Sequence, residues 1–459
     1  MSEPSGDRAE GPAAPEGRAA APEGRAAAPE GRAAAPEGRA AAPEGVDDLG
    51  PGVGEALERL RPRDLAVGML TYNNAETAAA VAQSAVRGIE QYLPGTSAVI
   101  LSVDTGSVDG TPDTLVGPSA VPVVSMVHQA RLAERLTVPF HGVPGRSEAL
   151  RRTLAASHRL GARALVLLEA DLASPPPEWV ARLALPVLED KAGFVAPVYA
   201  RHRYEGTITN LLLAPLIRAL YGRRVRQPFG GEQALSGRLV DHLLIHPQWD
   251  WRSDDLSDVW VLGTAIADGF SVWETWLGRR TIRSRARTTD LPSMLAQTLG
   301  AVFAVMHRHQ DLWLDVRGSE PLPEVGERVL PAVDPIEVDV PRMIEGFRLG
   351  LRDLVPIWEH ILAPETLGDV LSLETVDPAE FRFPDDVWAR VAYDFALGYH
   401  YDVVYRDHLL RSLAPLYLGR TAAFVRQTQG RSAEATEAML DAVGAAFERQ
   451  KPYLTDRWR

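Results

Sequence analysis

Two acidic side chains, Glu169 and Asp171, follow directly on an apolar run, Ala164-Leu165-Val166-Leu167-Leu168. A run of this length predicts a buried strand of a parallel sheet, and such sheets bind ligands at the carboxyl ends of their strands. Carboxylates two positions apart on an extended chain point the same way, and hard divalent cations prefer carboxylate oxygen. The pattern therefore predicts a divalent metal, Mg²⁺ or Mn²⁺, that bridges the acids to a diphosphate. The alternative is a strand followed by an acidic turn, in which Asp171 caps the next segment.

The composition limits the classes of protein to which the chain can belong. Its 459 residues are enough for more than one domain, and a hydrophobic content of 46% supports a large core. The absence of cysteine excludes disulfides and thiolate chemistry, and the formal net charge of −13 argues against general nucleic-acid binding. No apolar stretch reaches about 18 residues without charge, so no membrane span is expected. The N-terminus shows no cleavable signal, and we expect a cytoplasmic protein.

The elements that must position these acids alternate between strands and helices before the pattern becomes mostly helical. A first strand and the loop after it are predicted over 63–74, and further strands near 97–103, 121–127, 164–168, 192–199 and 271–277. Helices are predicted near 76–92, 148–160, 206–221, 236–244, 258–269, 341–361, 384–399 and 405–427. A strand, a helix, a second strand and a Gly-rich loop make a βαβ unit. The predicted fold class is therefore α/β, with a mostly parallel sheet flanked by helices.

Three regions are predicted along the chain. Residues 1–45 are of low complexity. The unit Ala-Pro-Glu-Gly-Arg-Ala-Ala recurs from Ala14 to Gly45 without a large apolar side chain, so we predict a disordered tail. A sheet domain over 60–289 follows. Asp290 with Pro292 marks a helix start, and the helical pattern after it defines a region over 290–459. This region is expected to pack on the sheet domain or to form a homo-oligomer contact.

Asp104-x-Gly-Ser-x-Asp-Gly-Thr follows the second strand, and the two acids Glu169 and Asp171 follow a later one. Together these motifs resemble those of the GT-A glycosyltransferases of the family-2 type, which use nucleotide sugars. The segment Arg226-Gln227-Pro228-Phe229-Gly230-Gly231-Glu232 resembles the loop of the mannosylglycerate synthases that joins the donor and acceptor sites. Glucosyl-3-phosphoglycerate synthases are a related, more distant match. The resemblance covers roughly residues 64–430. Its further similar segments are Arg252-Ser253-Asp254 with Asp258, Gly269-Phe270-Ser271-Val272-Trp273-Glu274, and Phe381-Arg382-Phe383 leading into Trp388 and Tyr393.

The resemblance implies that Asp104 binds the nucleoside, with Thr71 and Asn73 in the same pocket. Asp104 could instead cap its turn together with Ser107 and Asp109, which is common in such turns.

Arg146 is the predicted diphosphate ligand, because a cation before a helix start suits a phosphate group. Its alternative is a solvated surface arginine. Gln227, in the joining loop, is counted with the donor-binding residues.

The resemblance implies that Asp171 ligates the metal directly and that Glu169 meets the ribose or the metal shell. Similar enzymes often add a histidine ligand downstream, but residues 279–287 hold several arginines and no histidine. Those arginines either supply part of the positive charge on the leaving diphosphate or form a basic solvated loop.

Arg201 and Thr209 match the acceptor-carboxylate site of the mannosylglycerate synthases. An arginine fork suits a carboxylate, and Gly231 allows a close approach of the backbone to a ligand. The resemblance thus implies a small anionic acceptor. The alternative for Arg201 is an exposed basic cluster with His202 and Arg203.

The candidate catalytic acids are Glu232, Asp254 and Asp258. One of them could hold a sugar or acceptor hydroxyl, or act as general base in an inverting enzyme. The resemblance implies retention of configuration, so positioning is the expected role. Helix capping is the alternative for Asp254. His307 and His309 are two positions apart on a predicted helix, which argues against a metal site formed by both.

The leading functional expectation is transfer of a hexose from a nucleotide diphosphate sugar to a small hydroxy acid. GDP-mannose with D-glycerate is the leading pair, giving the compatible solute mannosylglycerate. Alternatives are another nucleotide sugar, or phosphoglycerate, a polysaccharide or a lipid as acceptor. A rival class is a non-catalytic nucleotide-sugar-binding protein, favoured by Glu169 in place of an aspartate and by the missing histidine. A scaffold protein, suggested only by the repeat tail, is the third alternative.

Overall fold

The computed structural model describes Met1 and residues 49–115, 119–136, 141–247, 257–282, 290–329 and 336–458. The predicted tail over 1–45 lies outside this part of the chain, apart from Met1. The strands are β1 (Leu65–Thr71), β2 (Ala98–Asp104), β3 (Val123–Val127), β4 (Ala164–Glu169), β5 (Phe194–Tyr199), β6 (Arg223–Arg224), β7 (Gln233–Ser236), β8 (Val272–Gly278), β9 (Glu320–Pro321) and β10 (Glu324–Val325).

The helices fall into two groups along the chain. Those among the strands are α1 (Val53–Leu60), α2 (Ala78–Tyr92), α3 (Thr111–Thr114), α4 (Leu132–Leu136), α5 (Arg146–Arg159), α6 (Glu178–Leu188), α7 (Ala214–Tyr221), α8 (Gly237–Ile245), α9 (Ser257–Ala267), α10 (Leu291–Arg308) and α11 (Gln310–Trp313), with a π-helix over Thr209–Leu213. Those that follow the strands are α12 (Val340–Ile361), α13 (Pro364–Ser372), α14 (Asp385–His400), α15 (Arg406–Ser412), α16 (Ala414–Thr428) and α17 (Ala433–Thr455).

The main sheet of the described residues has eight strands in the order β10-β8-β5-β7-β4-β1-β2-β3. Every neighbouring pair among them is parallel except for the two pairs that β7 makes with β4 and β5. Strands β1, β2 and β5 are buried along their whole length, as expected for strands covered on both faces. The predicted α/β class, with a mostly parallel sheet and a helical C-terminal region, is confirmed.

Three local predictions were wrong. Strand β7 was missed, because its four residues are too short to show a period and its burial comes from the strands on either side. Arg146 is the first residue of α5 rather than part of the preceding loop. The helix predicted over 405–427 is broken in two before Pro415, which lacks a backbone N–H. The helix predicted over 206–221 is present, as the π-helix followed directly by α7.

The helical region packs on the sheet region, which is one of the two arrangements that the sequence predicted. A single apolar core cluster includes residues of β4 and β5 together with residues of α12, α14 and α16. Trp388 of α14 is fully buried, and its indole N–H donates to the carbonyl of Leu211 in the π-helix at 2.7 Å. The described residues from Leu49 onward form one compact unit, so the division at residue 290 stays a prediction.

No described helix combines the length and the apolarity that a membrane crossing requires.

Candidate active site

Polar side chains gather at the carboxyl edge of the main sheet, where the parallel strands end. The last residues of four neighbouring or nearby strands are Thr71, Asp104, Glu169 and Tyr199. Glu232 joins them because β7 runs antiparallel and starts at this edge. The topology therefore brings together residues that are up to 161 positions apart in the sequence, which is the arrangement predicted for the ends of β2 and β4.

Arg146 bridges two carboxylates at this edge. Its Nη2 donates to Oε1 of Glu169 at 3.0 Å and to Oδ1 of Asp258 at 3.1 Å. The side chain of Arg146 is 4% exposed, so the alternative of a solvated surface arginine is wrong. Burial alone would lower the pKa of Arg146, but the two carboxylates outweigh it and raise the pKa. For Asp258, burial raises the pKa, and the opposing effect of the Arg146 charge is smaller.

Glu232 lies in a second buried charge group beside the first. Its carboxylate is fully buried and accepts hydrogen bonds from the Tyr199 hydroxyl and, at 3.0 Å, from Nε of Arg280. The pKa of Tyr199 is raised by burial and by the negative charge of Glu232. For Arg280, burial works against a raised pKa, but the nearby Glu232 dominates and raises it.

Gly231 joins the two charge groups through a close backbone contact. A Cβ built on Gly231 would lie 2.3 Å from both Cγ and Oε1 of Glu169, closer than side-chain atoms approach one another. A Cβ on Gly230 would lie 2.2 Å from Cγ of Pro197. A side chain at either position would therefore force Glu169 or Pro197 to move, and the joining loop lies directly against the acid that ends β4.

The acids predicted to hold a metal lie next to the segment that leaves β8. Leu172 forms an isolated antiparallel bridge with Ile282, and the amide of Ala173 donates to the carbonyl of Thr281 at 2.9 Å. The beginning of the arginine-rich segment therefore lies beside Asp171, while residues 283–289 are outside the described part. Pro177 is the N-cap of α6, so Asp171 does not cap the helix that follows it.

The donor set of Glu169 and Asp171 fits a hard divalent cation, because both offer carboxylate oxygen. Among the described residues, no third histidine or carboxylate completes a cluster with this pair. Mg²⁺ usually completes its coordination with substrate phosphate oxygens and water.

Asp104 holds the loop after β2 in place. Its oxygens accept bonds from the hydroxyl of Thr71 at 3.0 Å, from the amides of Gly106 and Ser107, and from the hydroxyl of Ser107. Four bonds match the acceptor capacity of a carboxylate, and this is the turn-capping alternative predicted for Asp104. The Oδ1 of Asn73 accepts from the amide of Val108 at 2.8 Å, so the loops after β1 and β2 form one unit.

Arg201, one of the three acceptor residues predicted from the sequence, lines a cavity next to these charges, whereas Thr209 and Gly231 do not line it. The cavity has a volume of about 310 Å³ and is lined by Tyr199, Arg201, Arg203, Asn210, Gln227 and other residues. The guanidinium of Arg201 stacks over the Tyr199 ring, with its carbon 4.6 Å from the ring centroid. Burial lowers the pKa of Arg201, and the charge of Arg280 acts in the same direction. A cation in this position favours an anionic partner.

The segment that carries the acceptor residues is anchored by the helical region. Nη1 of Arg203 donates to the carbonyl of Thr428 at 2.6 Å, and Thr207 and Tyr417 share a hydrogen bond of 2.5 Å. Arg203 is 8% exposed, so an exposed cluster with Arg201 is wrong for this residue. Thr209 is the first residue of the π-helix, a rare form that is frequent at functional sites.

The structure thus brings Arg146, Glu169, Gly231, Glu232 and Asp258 into one group. Thr71, Asn73 and Asp104 lie at the neighbouring strand ends. Arg201 and Gln227 line the cavity, and Thr209 directly precedes Asn210, which also lines it. Asp254 is outside the described residues. His309 is buried and contacts the Tyr221 hydroxyl at 2.9 Å, while the ring of His307 lies 5.4 Å from that of His400, so the two histidines do not converge.

Sequence reasoning missed Tyr199 and the individual role of Arg280. Tyr199 is the last residue of a predicted strand, so the rule applied to β4 would have found it. Arg280 was one of several arginines in its segment, and only the fold singles it out as the partner of Glu232.

No family model and no curated protein matches the chain. Solved structures do match. Three of them are similar to the chain over 57% of its length, each with a TM-score of 0.40. Glucosyl-3-phosphoglycerate synthase from Mycobacterium tuberculosis, with Mn²⁺, UDP and glucosyl-3-phosphoglycerate, is 25% identical over 86% of its length. The same enzyme with Mn²⁺ and UDP-glucose is 26% identical over 84%, and a structure described as a mycobacterial protein is 27% identical over 80%. TM-scores of this size carry no functional argument, so likeness to mannosylglycerate synthases in particular stays a prediction.

Proposed function

We propose that this chain is a GT-A glycosyltransferase that moves a hexose from a nucleotide diphosphate sugar to a small hydroxy acid. The observation that carries the proposal is the buried group of opposed charges at the carboxyl edge, where Arg146 and Arg280 lie among Glu169, Glu232 and Asp258. Fixed charges of both signs in a buried site can stabilise a departing diphosphate and hold hydroxyl groups in place.

The donor diphosphate would bind beside Arg146. This residue begins α5, so the positive end of the helix dipole adds to its charge. An incoming phosphate would compete with Glu169 and Asp258 for the guanidinium. Asp171, with Glu169, would hold a divalent ion, and such an ion supplies additional charge stabilisation to the leaving diphosphate when bound.

Glu232 would position a hydroxyl group rather than remove its proton. Both of its neighbours, Tyr199 and Arg280, donate hydrogen bonds to it, and these bonds hold the carboxyl group in a fixed orientation. An acid held in this way is suited to accept a hydrogen bond from a sugar or an acceptor. This supports the positioning role predicted for Glu232.

The acceptor would bind in the cavity beside Arg201. The volume of about 310 Å³ suits a small molecule, and Arg201 offers a fork for a carboxylate. Nη2 of Arg203 is buried without a hydrogen-bond partner among the described residues, which places a second uncompensated donor near the cavity. These features favour a small anion such as glycerate or phosphoglycerate over a lipid or a polysaccharide.

One observation favours a second candidate function. Oε1 of Glu169 is already held by Arg146, so Glu169 is not free to act only as a metal ligand. A protein that binds nucleotide sugars without turning them over would tolerate this arrangement.

Release of nucleoside diphosphate from a panel of nucleotide sugars tests the proposal. The panel includes GDP-mannose and UDP-glucose, each with D-glycerate, with phosphoglycerate or without acceptor, and with Mg²⁺, Mn²⁺ or chelator. We expect release with one donor that depends on an anionic acceptor. Binding of a donor without release under any of these conditions would instead establish the second candidate, and no binding of any donor would overturn both.

A further inference from the structure

A second group of ligand-type side chains lies away from the carboxyl edge, where α8 and α9 end. His242 is on α8, His246 directly follows that helix, and Asp268 directly follows α9. Phe270, which contacts the ring of His242, also packs on Gly193 just before β5. The group therefore lies toward the amino edge of the sheet, opposite the candidate active site.

Both imidazoles face the same carboxylate oxygen. Nε2 of His242 lies 2.6 Å from Oδ2 of Asp268, and Nε2 of His246 lies 3.6 Å from that same atom. One ligand atom from each of the three residues lies within 4.8 Å of the other two. Two histidines four positions apart at a helix end share one face, and this spacing is used by helical zinc sites.

We propose that His242, His246 and Asp268 form a binding site for a transition-metal ion, with Zn²⁺ as the ion that fits the donors best. Two imidazole nitrogens and one carboxylate oxygen are a common three-ligand set for zinc, which leaves one position for water. Bonds of about 2.0–2.2 Å place tetrahedral ligand atoms roughly 3.3–3.6 Å apart. The His246 contact already has this spacing, and the His242 contact reaches it when the side chains move by about 1 Å.

The surroundings hold both rings in orientation. The His242 ring lies 5.4 Å from that of Phe270, and the His246 ring lies 5.2 Å from that of Trp260. The histidine side chains are 35% and 12% exposed, so an ion can enter from solvent. The charge of Arg308 acts on His246 and opposes cation binding, so its removal should strengthen the site.

The donor types separate this site from the acids at the carboxyl edge. Imidazole-rich sets select zinc and its neighbours in the first transition row, whereas carboxylate sets suit Mg²⁺ and Mn²⁺. A bound ion would join α8 to α9, whose first turn carries Asp258. We therefore expect the ion to stabilise the folded chain whether or not the proposed transferase activity exists.

Calorimetric titration of the chelator-treated full chain, purified without a histidine tag, with ZnCl₂ tests the proposal. We expect one ion per chain, a higher unfolding temperature with Zn²⁺, and an absorption spectrum of tetrahedral type with Co²⁺. His246→Ala and Asp268→Asn should each weaken Zn²⁺ binding by about 100-fold or more. Asp268→Asn keeps the size of the side chain. It therefore still tests Zn²⁺ binding if the His246→Ala variant does not fold.

A matched control lies between α5 and α8, the second of which also carries His242 of the proposed site. Nδ1 of His158 lies 2.6 Å from Oδ1 of Asp241, and no third ligand-type side chain joins that pair among the described residues. His158→Ala should leave Zn²⁺ binding unchanged. Absence of Zn²⁺ binding by the folded chain, or binding that survives both His246→Ala and Asp268→Asn, would overturn the proposal.

Discussion

Gly231 and Glu169 are packed so closely that a single methyl group on Gly231 would overlap the carboxylate of Glu169. The missing Cβ would lie 2.3 Å from Oε1 of Glu169, and that oxygen also accepts the hydrogen bond from Arg146. The joining loop, residues 226–232, therefore cannot shift toward Glu169 at the end of β4 without moving that side chain. A change in the loop should reach the proposed donor site directly.

Gly231→Ala should lower kcat/KM for the donor at least tenfold, because the new methyl group must displace Glu169 or the loop. Steady-state kinetics with the preferred donor and circular dichroism check this expectation. Gly318→Ala is the control, since nothing lies within 4 Å of a Cβ at that position. Equal kinetics of the two variants would show that the contact has no bearing on the reaction.

Arg146→Met should abolish donor binding and also destabilise the fold. It leaves the carboxylates of Glu169 and Asp258 buried without their shared cation, and breaking such a buried pair costs about 3–5 kcal/mol. Donor titration and chemical unfolding measure the two effects. Arg163→Met removes a 53% exposed arginine with distant acidic partners and should cost less than about 1 kcal/mol. Unchanged donor affinity in Arg146→Met would refute the diphosphate role.

Trp388→Phe should raise the KM for the acceptor several-fold with a smaller effect on kcat. The change removes the hydrogen bond to the Leu211 carbonyl in the π-helix that begins with Thr209, while keeping most of the buried ring. Trp358→Phe is the matched control, because that indole is equally buried and donates to the Ser412 carbonyl within the helical region. If both variants shift the acceptor KM alike, the anchoring of the acceptor segment is not specific to Trp388.

Glu274 should make the stability of the fold depend on pH. Burial raises its pKa to about 7 from an ordinary value of 4.5, although Arg226 acts in the opposite direction. The folded chain therefore keeps a proton that the unfolded chain releases between pH 4.5 and 7, so stability falls as pH rises through this window.

Relative to Glu274→Gln, the wild-type free energy of unfolding should fall by about 3 kcal/mol across the window and stay constant above it. Urea unfolding of both proteins at a series of pH values measures the difference between their free energies of unfolding. The contributions of other titrating groups, such as Asp394, are the same in both proteins and cancel in this difference. A difference that is flat from pH 4.5 to 7 would contradict the raised pKa of Glu274.

The sheet and its ligand edge were predictable because each depends on local sequence. The apolar runs that became β1, β2, β4 and β5 end in polar residues, and parallel strands bring those ends together. Acids and arginines near these ends could be named from their chemical type and from the family resemblance.

The partners of those residues were not predictable, because they come from contacts between distant segments. Nothing near Arg146 in the sequence indicates that Asp258, 112 positions away, shares its guanidinium. The burial of Glu232 depends on β7, whose four residues carry no periodic signal. The support of the acceptor segment by Trp388 likewise comes from a helix that follows it by 177 positions.

Transfer of labelled sugar from the preferred donor to an anionic acceptor, by the wild-type chain and by Asp171→Asn, tests the central claim most directly. The control is Asp190→Asn, which removes an acid whose side chain is 85% exposed. We expect labelled glycosylated acceptor from the wild type and the control, and at least about 100-fold less from Asp171→Asn at the same Mg²⁺ or Mn²⁺ concentration. Equal transfer by Asp171→Asn, or no labelled product from any donor and acceptor, would contradict the account.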